Sequence, residues 1–164
     1  MPQSPPGDRL QTSVVAIARV LDKHRVLTAL VGRQPSSRSD LLQELQRRQN
    51  LVELEQRVRT LHPADLAAVL ELLSPDDRLL VWTQAPPPLR AQALVELSDP
   101  VRWALVEAAE PGALAECLRQ LDAEDLAYLE GRVPDETWSL ASRELAVPDQ
   151  AFLRESVAYP EHSV

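Results

Sequence analysis

The sequence predicts an all-α protein, built as a solenoid-like superhelix of short helices. Three observations support this fold class. Apolar residues make up 45% of the 164 residues but aromatic residues only 4%, so Leu, Ala and Val dominate, and Leu and Ala are strong helix formers. Residues that favour a helix start recur every 12 positions, and apolar residues recur inside each unit at helical spacing.

The 12-residue period marks the corners between helices. Four of its seven starting positions are proline, which is preferred at the first residue of a helix. Three of the residues just before a start, Ser74, Ser98 and Asp122, are good N-caps, whereas His62 is expected as a capping or corner residue. We therefore expect helices to start at Pro63, Pro75, Pro87, Asp99, Pro111, Ala123 and Asp135.

Two apolar positions repeat inside each unit. A helix of about nine residues is marginal alone, so these positions are expected to pack against neighbouring helices. Six residues after each start stand Val69, Val81, Ala93, Leu105, Cys117, Leu129 and Ala141. Ten residues after each start stand Leu73, Ala85, Leu97, Ala109, Leu121, Val133 and Leu145.

The N-terminal part has longer elements. Residues 8–31 are expected to form one helix, residues 32–37 a loop, and residues 39–49 a second helix. Asn50 is expected to cap a new helix beginning at Leu51, which would carry the repeat backwards.

Charge is unevenly distributed over the chain. Its net charge is −8, but residues 1–60 hold ten basic and six acidic residues, whereas residues 61–164 hold seven and nineteen. The acidic part should repel nucleic acid and anionic lipid and attract cations. No stretch approaches 18 apolar residues, so no membrane insertion by this chain is expected.

Residue types that carry catalysis are sparse, so the chain is not expected to be an enzyme. The four glycines form no phosphate-binding loop, and the single cysteine falls on a repeated apolar position. The histidines are far apart in the sequence: His24, His62 and His162. The tryptophans fall mid-helix, where core packing is expected: Trp82, Trp103 and Trp138.

Acidic pairs stand in the first turns of two predicted helices, at Asp76 with Asp77 and at Glu124 with Asp125. Such residues interact favourably with the helix dipole, which accounts for them without any ligand. Alternatively they form a surface for Mg²⁺, which prefers oxygen ligands and keeps several waters, so that one or two carboxylates suffice. Binding at such a site is expected to be weak.

Several segments of the chain carry motifs of a known family. Residues 61–67 read Leu-His-Pro-Ala-Asp-Leu-Ala, preceded by Arg-Gln-Asn-Leu-Val-Glu-Leu at residues 48–54. Residues 121–127 read Leu-Asp-Ala-Glu-Asp-Leu-Ala, and residues 159–164 read Tyr-Pro-Glu-His-Ser-Val. In their order and spacing these segments resemble the N-terminal domain of MgtE-type magnesium channels, where the last of them leads into CBS domains. In all, the resemblance covers residues 39–164.

The resemblance implies a right-handed superhelix and a regulatory function. In the family, cytosolic Mg²⁺ bound between this domain, a CBS domain pair and a plug helix keeps the pore closed. Glu124 and Asp125 match an acidic pair of that site, whereas Tyr128 and Ala93 stand where family members carry acidic residues. The implied partners are the CBS pair and plug helix of the same protein, as a homodimer at the cytoplasmic face of the inner membrane.

Domain boundaries follow from the repeat and the resemblance. Residues 1–38 are interpreted as an N-terminal extension, residues 39–158 as the superhelical domain, and residues 159–164 as the start of a linker to CBS domains. An alternative is a helical protein–protein assembly module without metal function, because the flagellar motor switch protein FliG has similar short-helix units with a His-Pro corner.

Overall fold

The all-α prediction is confirmed throughout the described part of the chain. A computed structural model describes residues 6–31 and 37–144, and these ranges contain helices and tight corners without a β-strand. Its elements in chain order are α1 Pro6–Val31, α2 Ser37–Arg59, α3 Pro63–Leu72, α4 Pro75–Gln84, α5 Pro87–Glu96, α6 Asp99–Ala108, α7 Pro111–Leu118, α8 Ala123–Leu129 and α9 Asp135–Glu144. The handedness of the superhelix stays a prediction.

Helices α3–α9 begin at the seven predicted residues, so the 12-residue period is a true structural repeat. The corners are short because two extended residues suffice to turn the chain: Leu73 and Ser74 have ψ angles of 157° and 159°. The Ser74 carbonyl then accepts a bond of 2.8 Å from the Arg78 N–H, which opens the next helix. The last corner instead uses Gly131, whose φ of +84° is a left-handed conformation that favours glycine.

Two of the three predicted side-chain caps are confirmed. The Ser74 hydroxyl accepts from the Asp77 N–H at 3.4 Å, and the Asp122 carboxylate accepts from the Asp125 N–H at 2.8 Å. Ser98 occupies an N-cap position, but its side chain makes no capping bond, so that prediction is wrong. His62 is also a corner residue without a side-chain cap.

Most of the short helices pack mainly against the helix two places along the chain, whereas α8 packs against α5. Helices α3, α5, α7 and α9 therefore form one row, while α2, α4 and α6 form a second. The core lies between them, and every described member of the position six residues into a unit is buried: Val69, Val81, Ala93, Leu105, Cys117 and Leu129. Leu97 and Leu121, from the second repeated position, are 3% and 4% exposed. The side chains of Ala141 and Leu145 lie outside the described residues.

The tryptophan prediction is only partly confirmed. Trp82 is fully buried and donates its indole N–H to the Arg90 carbonyl at 3.3 Å. Trp138 is partly buried and packs against the core. Trp103, in contrast, is 43% exposed, because its position on α6 faces away from the core and its indole donates to Glu107.

The predicted helix break at Asn50 is wrong, because α2 runs unbroken from Ser37 to Arg59. Asn50 is only 4% exposed, and its side-chain amide donates to the Val20 carbonyl of α1 at 3.0 Å. Its side-chain N–H is thus bonded across to α1 and does not cap a helix. The predicted helix over residues 8–31 is confirmed by α1, whereas loop residues 32–36 and linker residues 159–164 lie outside the described residues.

Candidate functional site

The two carboxylates of the acidic pair of α4 lie in different surroundings, one in solvent and one in an ion pair. Asp76 is exposed, whereas the Asp77 side chain is 15% exposed and its Oδ2 lies 2.6 Å from Nη1 of Arg25 on α1. Arg25 also pairs with Asp22, one turn earlier on its own helix. These contacts raise the pKa of Arg25 above its ordinary value, with the Asp22 hydrogen bond as the largest cause and the Asp77 charge next. One carboxylate of this pair is therefore already neutralised.

The acidic pair of α8 faces solvent without such a counter-ion. Glu124 is exposed and Asp125 is partly exposed in the first turn of α8. The Asp122 side chain holds this turn by accepting the Asp125 N–H, which leaves both carboxylates of the pair out of the capping bond. Within residues 6–31 and 37–144, no basic side chain lies within salt-bridge distance of either carboxylate.

The four predicted metal-site residues do not come together. Among the described residues, no group of three or more His, Cys, Asp or Glu side chains is placed to hold a metal ion. The α4 and α8 pairs therefore lie apart, and each offers at most two carboxylates. That set suits Mg²⁺ only if waters or a second protein surface supply the remaining oxygen ligands.

The next turn of α8 carries an aromatic side chain between two cations. Tyr128 follows Glu124 by four residues and Asp125 by three, so it shares their helix face. The Arg132 guanidinium lies 4.2 Å from the Tyr128 ring centroid and donates to the Tyr128 carbonyl, and the Arg102 guanidinium lies 5.6 Å from the same centroid. This face of α8 thus carries two solvent-facing carboxylates beside a tyrosine ring that contacts two arginines.

Three arginines spaced by 12 residues bind helix-end carbonyls, a role that the sequence analysis did not identify. Arg78, Arg90 and Arg102 each stand fourth in their helix and donate through Nε to a carbonyl at the end of the preceding helix. The distances to the carbonyls of Leu70, Ala85 and Leu94 are 2.8, 2.6 and 2.8 Å. Carbonyls in the last turn of a helix lack partners within that helix, so these guanidinium groups satisfy them. Their equal spacing was the signal that could have revealed them.

This internal use of arginine strengthens the acidic character of the surface. Arg102 is fully buried, and the other two are partly buried. Because three of the few positive charges in α3–α9 point into the corners, the outward charge is dominated by carboxylates.

Glu71 connects two corners of the repeat. Its Oε1 accepts the Ser98 N–H at 2.7 Å, joining α3 to the start of α6. The backbone bond from Ser98 is the largest cause of a pKa of Glu71 below its ordinary value, and the charges of Arg78 and Arg102 add to the effect. A carboxylate from another helix thus satisfies the backbone N–H of the N-cap residue at this corner.

A comparison with protein families shows which family contains this repeat. The family model of the MgtE intracellular N domain matches residues 61–162, which is more than half of the chain. The chain belongs to the MgtE intracellular N domain family. A comparison of the whole sequence with curated proteins gives no match. Because the MgtE domain match includes α3–α9, it favours the magnesium-transporter interpretation over the motor-switch alternative.

The MgtE assignment defines what this chain is at a coarse level: a cytoplasmic domain type of magnesium transporters, and not a catalytic domain family. Helices α1 and α2 precede the matched residues. Across residues 6–31 and 37–144, no helix combines the length and apolar character that crossing a bilayer requires.

Burial raises the pKa of the Cys117 thiol to about 12, which keeps it protonated and fits its expected role in the MgtE domain core.

Proposed function

We propose that this domain senses cytosolic Mg²⁺ and helps to gate the pore of a magnesium transporter. Glu124 and Asp125 would contribute the carboxylates on the domain's side of the site. The observation that carries the proposal is that these two are solvent-facing, share the first turn of α8 and have no salt bridge within the described residues. The domain's family membership supports it.

The site is proposed to be shared between surfaces. Two carboxylates and several waters bind Mg²⁺ weakly, and a second acidic surface would complete the coordination. The proposed partners are the CBS domain pair and plug helix of the same full-length protein, within a homodimer at the cytoplasmic face of the inner membrane. Bound ions would hold these acidic surfaces together and keep the pore closed.

Loss of Mg²⁺ would reverse this arrangement. The outward face of α3–α9 is dominated by carboxylates, because three arginines are turned into the corners. Without bridging cations, two such surfaces repel each other over distances up to the Debye length, about 8 Å at physiological salt. The domain would then move away from its partners, and the pore could open. This function involves no catalysis by the domain itself.

A magnesium titration of the isotopically labelled chain tests this proposal. Amide NMR signals of α8 should shift with a midpoint on the order of millimolar, as expected for a water-retaining site with few carboxylates. The double substitution Glu124→Gln with Asp125→Asn should abolish those shifts. The matched control changes the first-turn acids of α9, with Asp135→Asn and Glu136→Gln, and should leave them intact. Unchanged shifts in the α8 variant would contradict the proposal.

A further inference from the structure

An ion pair joins α1, which lies outside the family match, to α4, which lies inside it. Arg25 Nη1 reaches Asp77 Oδ2 at 2.6 Å across 52 residues of sequence. We define the N-terminal hairpin as α1 and α2, which pack closely on each other. The Arg25–Asp77 contact thus connects this hairpin to α4. That helix begins at Pro75 and is capped by the Ser74 side chain.

The surroundings hold this contact in place from both sides. On α1, Asp22 binds the second Nη atom of Arg25 and so orients the guanidinium. On α4, the Asp77 side chain is 15% exposed, whereas that of its neighbour Asp76 faces solvent. Farther along the hairpin, the buried Asn50 amide bonds the Val20 carbonyl, which fixes the register of α1 on α2. The packing of α1 on α2 and the bond to Asp22 therefore position Arg25 beside Asp77.

We propose that Arg25 is an internal counter-ion at the α4 corner, so that Asp77 latches the N-terminal hairpin onto the repeat instead of binding Mg²⁺. This refines the predicted set of four metal-site residues, and it rests on the proposed function only in leaving Mg²⁺ sensing to α8. The hairpin then serves as the terminal cap of the solenoid, since α2 packs on α4 and α1 on α3. Solenoids need such caps because their end repeats otherwise expose an apolar face.

Tethering explains why Mg²⁺ would not displace the arginine. A group held by the same chain acts at an effective concentration on the order of millimolar or above. A site with one or two carboxylates binds Mg²⁺ only in the same range, and the ion keeps most of its waters. The guanidinium also binds through N–H donors whose geometry matches a carboxylate, and Asp22 has already oriented it. The balance therefore favours the internal cation.

Hydrogen exchange on the full chain tests the latch. Arg25→Gln and Asp77→Asn should each accelerate exchange of the α1 amides by about fivefold, because a surface-rim ion pair contributes up to ~1 kcal/mol to local opening. The double variant should exchange no faster than Arg25→Gln alone, since Asp77→Asn then has no Arg25 contact left to remove. Asp76→Asn is the matched control and should leave α1 unchanged. Additive acceleration in the double variant, or no acceleration in the singles, would overturn the latch.

Magnesium titration of the same variants separates the latch from a metal site. If Asp77 were a ligand, Arg25→Gln would free it and strengthen Mg²⁺-dependent shifts of the α4 amides, whereas Asp77→Asn would weaken them. The latch predicts that α4 amides do not respond to millimolar Mg²⁺ in wild type or in Asp77→Asn. An α4 response that Asp77→Asn removes would refute it. Failure of the proposed function would appear separately: the α8 amide signals would not shift with Mg²⁺, while the hydrogen-exchange results for the Arg25 and Asp77 variants would still hold.

Discussion

Arg102 provides the sharpest test of the corner architecture. Its side chain is fully buried, with Nε donating to the Leu94 carbonyl at 2.8 Å, Nη2 donating to the Leu97 carbonyl, and Nη1 bonding Asp99 at 2.6 Å. Arg102→Met keeps much of the buried volume but removes every donor. The Leu94 and Leu97 carbonyls, whose bonds to Arg102 are buried, would then lose that donor, and the Val95 carbonyl would lose a longer bond of 3.4 Å.

The magnitude follows from those two carbonyls. Each lost bond from a charged donor to a buried carbonyl costs about 1.5–3 kcal/mol, while removing a buried charge returns part of this. We therefore expect Arg102→Met to lower the free energy of unfolding by about 2–3 kcal/mol. With a urea slope of about 2 kcal/mol/M for a domain of this size, the midpoint should fall by about 1–1.5 M.

Urea denaturation followed by far-ultraviolet circular dichroism is the assay. The control is Arg48→Met, because Arg48 is an arginine with a 71% exposed side chain whose pair with Glu44 lies on the surface of α2. Such pairs contribute about 0–1 kcal/mol, so this variant should stay close to wild type. If Arg102→Met and Arg48→Met differed by less than about 0.5 kcal/mol, the corner arginines would not stabilise the superhelix and the reasoning would be wrong.

Three further predictions follow from burial and charge. Leu97→Ala should cost about 2–5 kcal/mol in urea unfolding, whereas the 70% exposed Leu72 should cost under about 1 kcal/mol, and equal losses would contradict the repeat register. The pKa of Glu71 is lowered in the folded state, so its contribution is present above the unfolded pKa of about 4.3 and lost as pH falls. Glu71→Gln should therefore destabilise slightly at pH 7, because solvent screens this exposed carboxylate, and the difference should vanish under acid. Cys117 should resist a thiol reagent in the folded chain and react fully in urea, and rapid native labelling would show that the core is open there.

The repeat could be predicted because each unit satisfies its own helix ends locally. Proline at the first position marks four of the units, and the 12-residue spacing carries the prediction to all seven helix starts. The same local reasoning failed at Asn50, whose side chain resembles a cap but bonds the Val20 carbonyl on another helix. Local signals cannot distinguish a cap from such a long-range bond.

The candidate site was less accessible to sequence reasoning. The two acidic pairs look alike in the sequence, but only Asp77 receives a cation from α1, which is 52 residues away. That difference depends on how the hairpin docks, and no local pattern near Asp77 announces it. Trp103 was assigned to the core because it falls mid-helix, although mid-helix residues face both the core and solvent.

The central claim is that the α8 carboxylates sense Mg²⁺, and open probability measured by patch clamp against cytosolic Mg²⁺ tests it most directly. The transporter containing this domain should be compared with its Glu124→Gln, Asp125→Asn variant and with the α9 control pair described above. The account predicts that the α8 variant needs about fivefold more Mg²⁺ to close, the factor that corresponds to ~1 kcal/mol of coupling, while the control follows wild type. Superimposable curves for all three would contradict it and would leave these carboxylates as helix-start residues alone.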